Sequence, residues 1–124
     1  MPQIDKTKDS KPSSVAETLQ RAKALIEDPS RWIKGAFAKP NKNAADWFTH
    51  GAHPKAGAWC MLGAVERVDG PFEVEAKRTL AKAISGFEWI DGVSEYNDAP
   101  HRRHRDVLKK FDKAIALAEK EATS

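Results

Sequence analysis

A chain of 124 residues sits near the commonest single-domain size, which leaves room for one hydrophobic core and not for two. Hydrophobic residues make up 40% and charged residues 31%, which excludes global disorder, and 21 Lys and Arg against 18 Asp and Glu leave a net charge of +3, too mild to imply a polyanion unless the cations cluster. One cysteine excludes an internal disulfide and fits a reducing, cytoplasmic compartment, while the absence of a signal-peptide pattern or a bilayer-length apolar run argues against a membrane.

Residues 1–13 carry Asp5, Lys6, Lys8, Asp9 and Lys11 with almost nothing apolar and read as a loose tail, and residues 14–124 read as one helical domain. Ser14 is an N-cap candidate with Glu17 three residues on. Val15, Leu19, Ala22, Leu25 and Ile26 then share one face of a first helix that must stop before Pro29. Pro29 to Gly35 reads as a turn or one short helical turn, with Trp32 directed inward and Gly35 ending it. The breaker-rich stretch from Ala36 to Gly57 predicts a long surface loop, with a short helix at Ala44 to Phe48 capped by Asn43. Trp47 and Phe48 are expected to pin that loop to the core.

Ala56 to Val68 is apolar nearly all the way round in its first turns, the pattern of a central helix surrounded by others. Gly63 inside it weakens a helix by about 1 kcal/mol against Ala, which implies close approach of another backbone. Asp69-Gly70-Pro71 supplies a turn with Pro71 at the first helical position, and Phe72, Ala76, Leu80, Ala83 and Ile84 predict a third helix ending near Gly86. Phe87 to Ser94 is too short for a helix and reads as extended, with no second alternating run to pair with it. Asn97 and Asp98 close a turn, and Asp98 is the N-cap candidate of a long last helix, worth about 1 kcal/mol against Ala. Along that helix His104, Val107, Leu108, Phe111, Ala114, Ile115 and Ala118 fall on one face and Arg102, Arg105, Lys109 and Lys113 on the other. The expected fold is therefore all-α: a small single-domain helical bundle with a buried central helix, a long amphipathic C-terminal helix, and Trp32, Trp59 and Trp89 packed around the centre.

The order Trp32-x-x-Gly35, Trp59-Cys60-Met61-Leu62-Gly63-Ala64, Tyr96-Asn97-Asp98-Ala99-Pro100 and Asp106-Val107-Leu108 resembles a family of short uncharacterised bacterial and phage proteins, a domain of unknown function. That family pattern reads Trp-Cys-x-Leu-Gly-Ala early and Trp-Asn-Asp ahead of a last helix. The resemblance implies a compact domain and no activity. Two positions depart from it: Tyr96 stands in place of Trp, and His101 to Arg105 is more basic than the pattern.

Four constellations bear on function. Cys60 is a nucleophile candidate, with His50, His53, His101 or His104 as base and Asn97 or Asp98 as orienting group, yet a cysteine inside an apolar run is usually inert. His50 and His53, with the identically spaced His101 and His104, are a zinc-ligand candidate set that neighbouring arginines would disfavour. Arg102, Arg103, Arg105, Lys109 and Lys113 form a basic surface for phosphates or an acidic protein, diluted by Asp106, Asp112 and Glu119. Trp32, Trp47, Trp59 and Trp89 could line a ligand cleft, but such residues are more often core, and Trp32, Trp59, Cys60, Gly63, Asn97 and Asp98 read as a structural motif. No cofactor is implied. The expectation is a non-enzymatic module that binds a protein partner, such as a phage or prophage accessory protein, with a small Cys60 enzyme and a nucleic-acid binder as alternatives.

Overall fold

Helices form where apolar spacing and end signals agree, and the computed structural model, which describes residues 10–123, contains five of them. Most of the predicted tail, residues 1–9, lies outside the described residues, as does residue 124. Residues 10–13 run back over the fold, with Pro12 buried and Lys11 Nζ 3.0 Å from the Asp69 carboxylate. The first helix, α1, spans Val15–Leu25. Ser14 Oγ accepts the Glu17 amide at 3.0 Å, as expected of the N-cap. The Glu17 carboxylate, however, turns back to the amide and hydroxyl of Ser13, a capping box displaced by one residue.

After α1, Asp28 caps the single 3-10 turn Pro29–Arg31, and Trp32 enters the core at 7% exposure. Gly35 follows at φ +83°, a left-handed conformation that suits glycine. The long loop is more ordered than its composition predicts. Strand β1, Ala38–Lys39, pairs antiparallel with β2, Ala58–Trp59, while Trp59 also bridges Trp32 and Ala38 also bridges Phe48. Two predicted pieces of helix are not formed. The Asn41 side chain takes the Asn43 amide at 3.0 Å, which closes a turn and leaves no capped helix at Ala44 to Phe48. Ala56 to Cys60 is extended, because a segment apolar on all sides fits a strand buried on both faces as well as a helix.

The central helix α2 is therefore shorter than expected, Met61–Val68, with every residue from Met61 to Glu66 buried. Gly63 permits the predicted close approach: a Cβ there would collide with the Phe37 carbonyl, and one on Gly51 would collide with the Gly63 carbonyl. Helix α3, Glu73–Ser85, ends at Gly86 with φ +87°, as read from sequence, but begins two residues beyond Pro71, which lies in the preceding turn. Helix α4, Asp91–Asp98, occupies a segment read as extended and turn. Val93 and Asn97, four apart, bury one face of it, and that burial outweighs the poor helix propensity of Gly92 and the Asp and Asn residues. Trp89 just ahead of α4 is 52% exposed, not packed at the centre.

The last helix, α5, spans His104–Thr123 and lies against α1 and α3, burying Val107, Phe111, Ala114 and Ala118 as its periodicity predicts. Asp98 does not cap it. Asp106 does, accepting the Arg103 amide at 3.0 Å, and that bond is the main reason its carboxyl pKa is lowered.

Asn97, fully buried, joins three segments, the Trp32 turn, α2 and α4, through its amide. Its Oδ1 accepts Trp32 Nε1 at 2.7 Å and the Met61 amide at 3.1 Å, and its Nδ2 donates to the Ile33 carbonyl at 3.0 Å and Asp98 Oδ1 at 2.8 Å. Asn97→Ala strands two buried N–H donors at about 1–3 kcal/mol each, so urea denaturation should show a loss of about 3 kcal/mol or more; a loss below about 1 kcal/mol would contradict this role.

The amide of Ser13, then Arg21, holds the Glu17 pKa down at about 2. Asp28, Asp69 and Asp106 are also lowered, chiefly by the Ser30 amide, the Lys11 ammonium and the Arg103 amide respectively. In that direction the unfolded chain binds protons more readily, so these groups stabilise the fold above about pH 5 and the contribution drains away as pH falls through about 4 and below. The melting temperature should drop between pH 5 and pH 2, and less steeply in Glu17→Gln; parallel profiles would refute the assignment.

Candidate functional site

The turn after Trp32 and the β1 loop place Gly35, Ala36 and Phe37 along one wall of an open recess of about 200 Å³. Trp47 and Thr49 form a second wall, and Ser94 and Asp98, one turn apart on α4, form a third. Cys60, the N-cap of α2, also lines the recess. Asp98 Oδ1 accepts the Gly35 amide at 3.0 Å, so the carboxylate anchors the wall beside it. Its Oδ2 has no hydrogen-bond partner among the described residues. Trp47 is 61% exposed, so of the two aromatics expected to pin the loop only Phe48 does so, packed on the core and stacked on His53 at 3.7 Å.

Cys60 is 4% exposed, and its Sγ accepts the Gly63 amide at 3.4 Å. Burial pushes its pKa up to about 12, so at neutral pH it is a thiol, the weakly nucleophilic form. No histidine lines the recess. Native protein should react with iodoacetamide at pH 7.5 on the order of 1000-fold more slowly than urea-unfolded protein, in proportion to the thiolate fraction; rapid native labelling read by mass spectrometry would restore Cys60 as a nucleophile.

The four histidines are used separately. Nδ1 of His50 accepts the Ala52 amide at 3.0 Å and Nδ1 of His53 accepts the Lys55 amide at 3.1 Å, which engages one ring nitrogen of each in a local turn. His104 Nε2 bonds the Ile26 carbonyl at 2.7 Å beside the Trp32 ring, and His101 is exposed. Among the described residues the one cluster of potential ligands is His50, Glu66 and Glu73, with donor atoms within 4.8 Å of one another. An ammonium already sits there: Lys77 Nζ is 2.9 Å from Glu66 and 3.1 Å from Glu73. Burial opposes the charge on Lys77, but its bonds to Glu66 and Glu73 outweigh that and raise its pKa.

Of the basic surface expected from sequence, Arg105, Lys109 and Lys113 lie on α5, and Arg102 and Arg103 precede it. Arg105, Lys109 and Lys113 are exposed. Arg103 reaches Asp106 at 3.7 Å, and Arg102 is folded over the Tyr96 ring at 3.4 Å with its Nε on the Tyr96 carbonyl. Lys120, not singled out from sequence, continues the exposed row and follows the same helical spacing. Of the recess lining, Trp47, Cys60 and Asp98 were candidates from sequence, while Phe37, Thr49 and Ser94 were missed because they carry no local signature, as was Glu66, whose one signal is a carboxylate inside an apolar helix. The motif residues fall into two bonded groups: Trp32 and Asp98 on Asn97, and Cys60 on the Gly63 amide, with Trp59 Nε1 donating at 2.9 Å to the carbonyl of Gly51, which packs on Gly63.

A model of a protein family of unknown function matches residues 10–117. No curated protein and no solved structure matches the chain.

Proposed function

The chain belongs to that family, DUF6197, and since membership carries no activity to it we propose that it is a non-enzymatic binding module that receives one side chain of a protein partner between Trp47 and Asp98. The observation that carries this reading is the recess itself: an apolar hollow beside an exposed tryptophan, with a carboxylate oxygen at its edge. Its volume of about 200 Å³ falls below the roughly 300–1,000 Å³ of sites for drug-sized ligands and cofactors, and suits a single bulky side chain. Tryptophan is among the residues that most often dominate binding energy, because it supplies a large rigid surface. Asp98 Oδ2 would accept an N–H next to the inserted group. An enzyme reading needs an ionised thiol with a base beside it, and the surroundings of Cys60 favour neither. The motif resemblance suggests a phage or prophage accessory role as the setting.

Panning a random peptide library against the folded protein tests this. Enriched peptides should share a bulky apolar residue and should lose about 30-fold or more in affinity against Trp47→Ala, the size of a binding hot spot. Absence of enrichment, or equal affinity for the variant, would overturn the reading.

A further inference from the structure

We propose that the outward face of α5 binds the phosphate backbone of a nucleic-acid duplex without reading its sequence. At about 100° per residue Arg105, Lys109, Lys113 and Lys120 fall within one narrow stripe, all exposed, and they run about 22 Å along the helix at 1.5 Å per residue. Each acidic residue of α5 has a partner outside this stripe, which lessens the dilution that their interleaving in sequence suggests, although Asp106 still lies within the field of Arg105. Asp106 is turned onto the Arg103 amide, Asp112 pairs with Lys23 of α1 at 2.8 Å, Glu119 accepts from Gln20 of α1, and Glu121 reaches Lys82 of α3. Packing thus draws the carboxylates sideways toward neighbouring helices, and none of the four stripe cations forms an ion pair among the described residues. Other cations of the fold, such as Arg31, Lys39 and Lys55, also lack an ion pair among the described residues, so the alignment of four on one helix face sets the stripe apart, not the missing partners.

The chemistry of the face selects among anionic partners. An anionic membrane calls for large apolar side chains beside the cations, and the exposed large hydrophobics, Trp47, Val74, Phe87 and Trp89, all lie off α5. An acidic protein surface would likewise want an aromatic or aliphatic anchor, and the stripe offers only Ala116. A duplex asks for evenly spaced cations alone, because its charge is regular, about one per 1.7 Å of axis. The stripe carries no Asn or Gln to pair with base edges, and its single arginine is one cation among four, so the contact positions without specifying.

The test is fluorescence anisotropy of a labelled 20-base-pair DNA duplex with the full chain between 50 and 200 mM salt. Four phosphate contacts predict a slope of log affinity against log salt near −3.6, a loss of about 150-fold over that range. Lys109→Gln combined with Lys113→Gln, both exposed and remote from the core, should halve the slope and reduce the loss to about 12-fold, with an unchanged melting temperature. Trp47→Ala should leave duplex binding as it is. No binding at 50 mM salt, an equal slope in the double variant, or binding to polyglutamate or phosphatidylserine vesicles in place of the duplex would each overturn the proposal.

Discussion

One buried amide holds together segments that are far apart in the chain. Asn97 has no contact with water, so its carbonyl oxygen and its two N–H groups must all be matched inside the protein. They are matched by the Trp32 indole, the first amide of α2, the Ile33 carbonyl and the neighbouring Asp98. Because a partly satisfied polar group in a core is more harmful than an apolar one, the network permits only one relative placement of the Trp32 turn, α2 and α4. Asp98, held by Asn97, passes the constraint to the Gly35 amide and so to the recess wall.

Several parts of this arrangement were readable in the sequence for physical reasons. The apolar stripe of α5, the Ser14 cap of α1, the glycine stop of α3 and the crowding at Gly63 all follow from local spacing or from a single residue's geometry. The failures also share a cause. The strand at Ala58–Trp59 and the helix at Asp91–Asp98 are decided by what packs against them, since an all-apolar run has no period and a polar eight-residue helix is marginal alone. Asp98 looked like a helix cap because it precedes Pro100 by two residues, yet its partner, Gly35, lies 63 positions away.

The candidate surfaces divide along the same line. The cationic row on α5 could be read from residue spacing, whereas the direction taken by its acidic neighbours could not, because Lys23, Gln20 and Lys82 come from other helices. Of the recess, only Trp47, Cys60 and Asp98 carried any functional signal in the sequence. The recess joins the turn after Trp32, the β1 loop, the start of α2 and the end of α4, four pieces that only the tertiary fold brings side by side.

The stacking of Phe37, Gly63 and Gly51 bears on how such a hollow would select an occupant. Main chain rests directly on main chain there, with no side-chain cushion to compress, and the Cys60 amide fastens the same Phe37 carbonyl at 3.3 Å. The Phe37 side of the recess is therefore braced against moving outward or inward around a guest. Discrimination at that wall would then follow from shape, with Asp98 adding a polar requirement at the edge, and little backbone freedom would remain to be lost there on association.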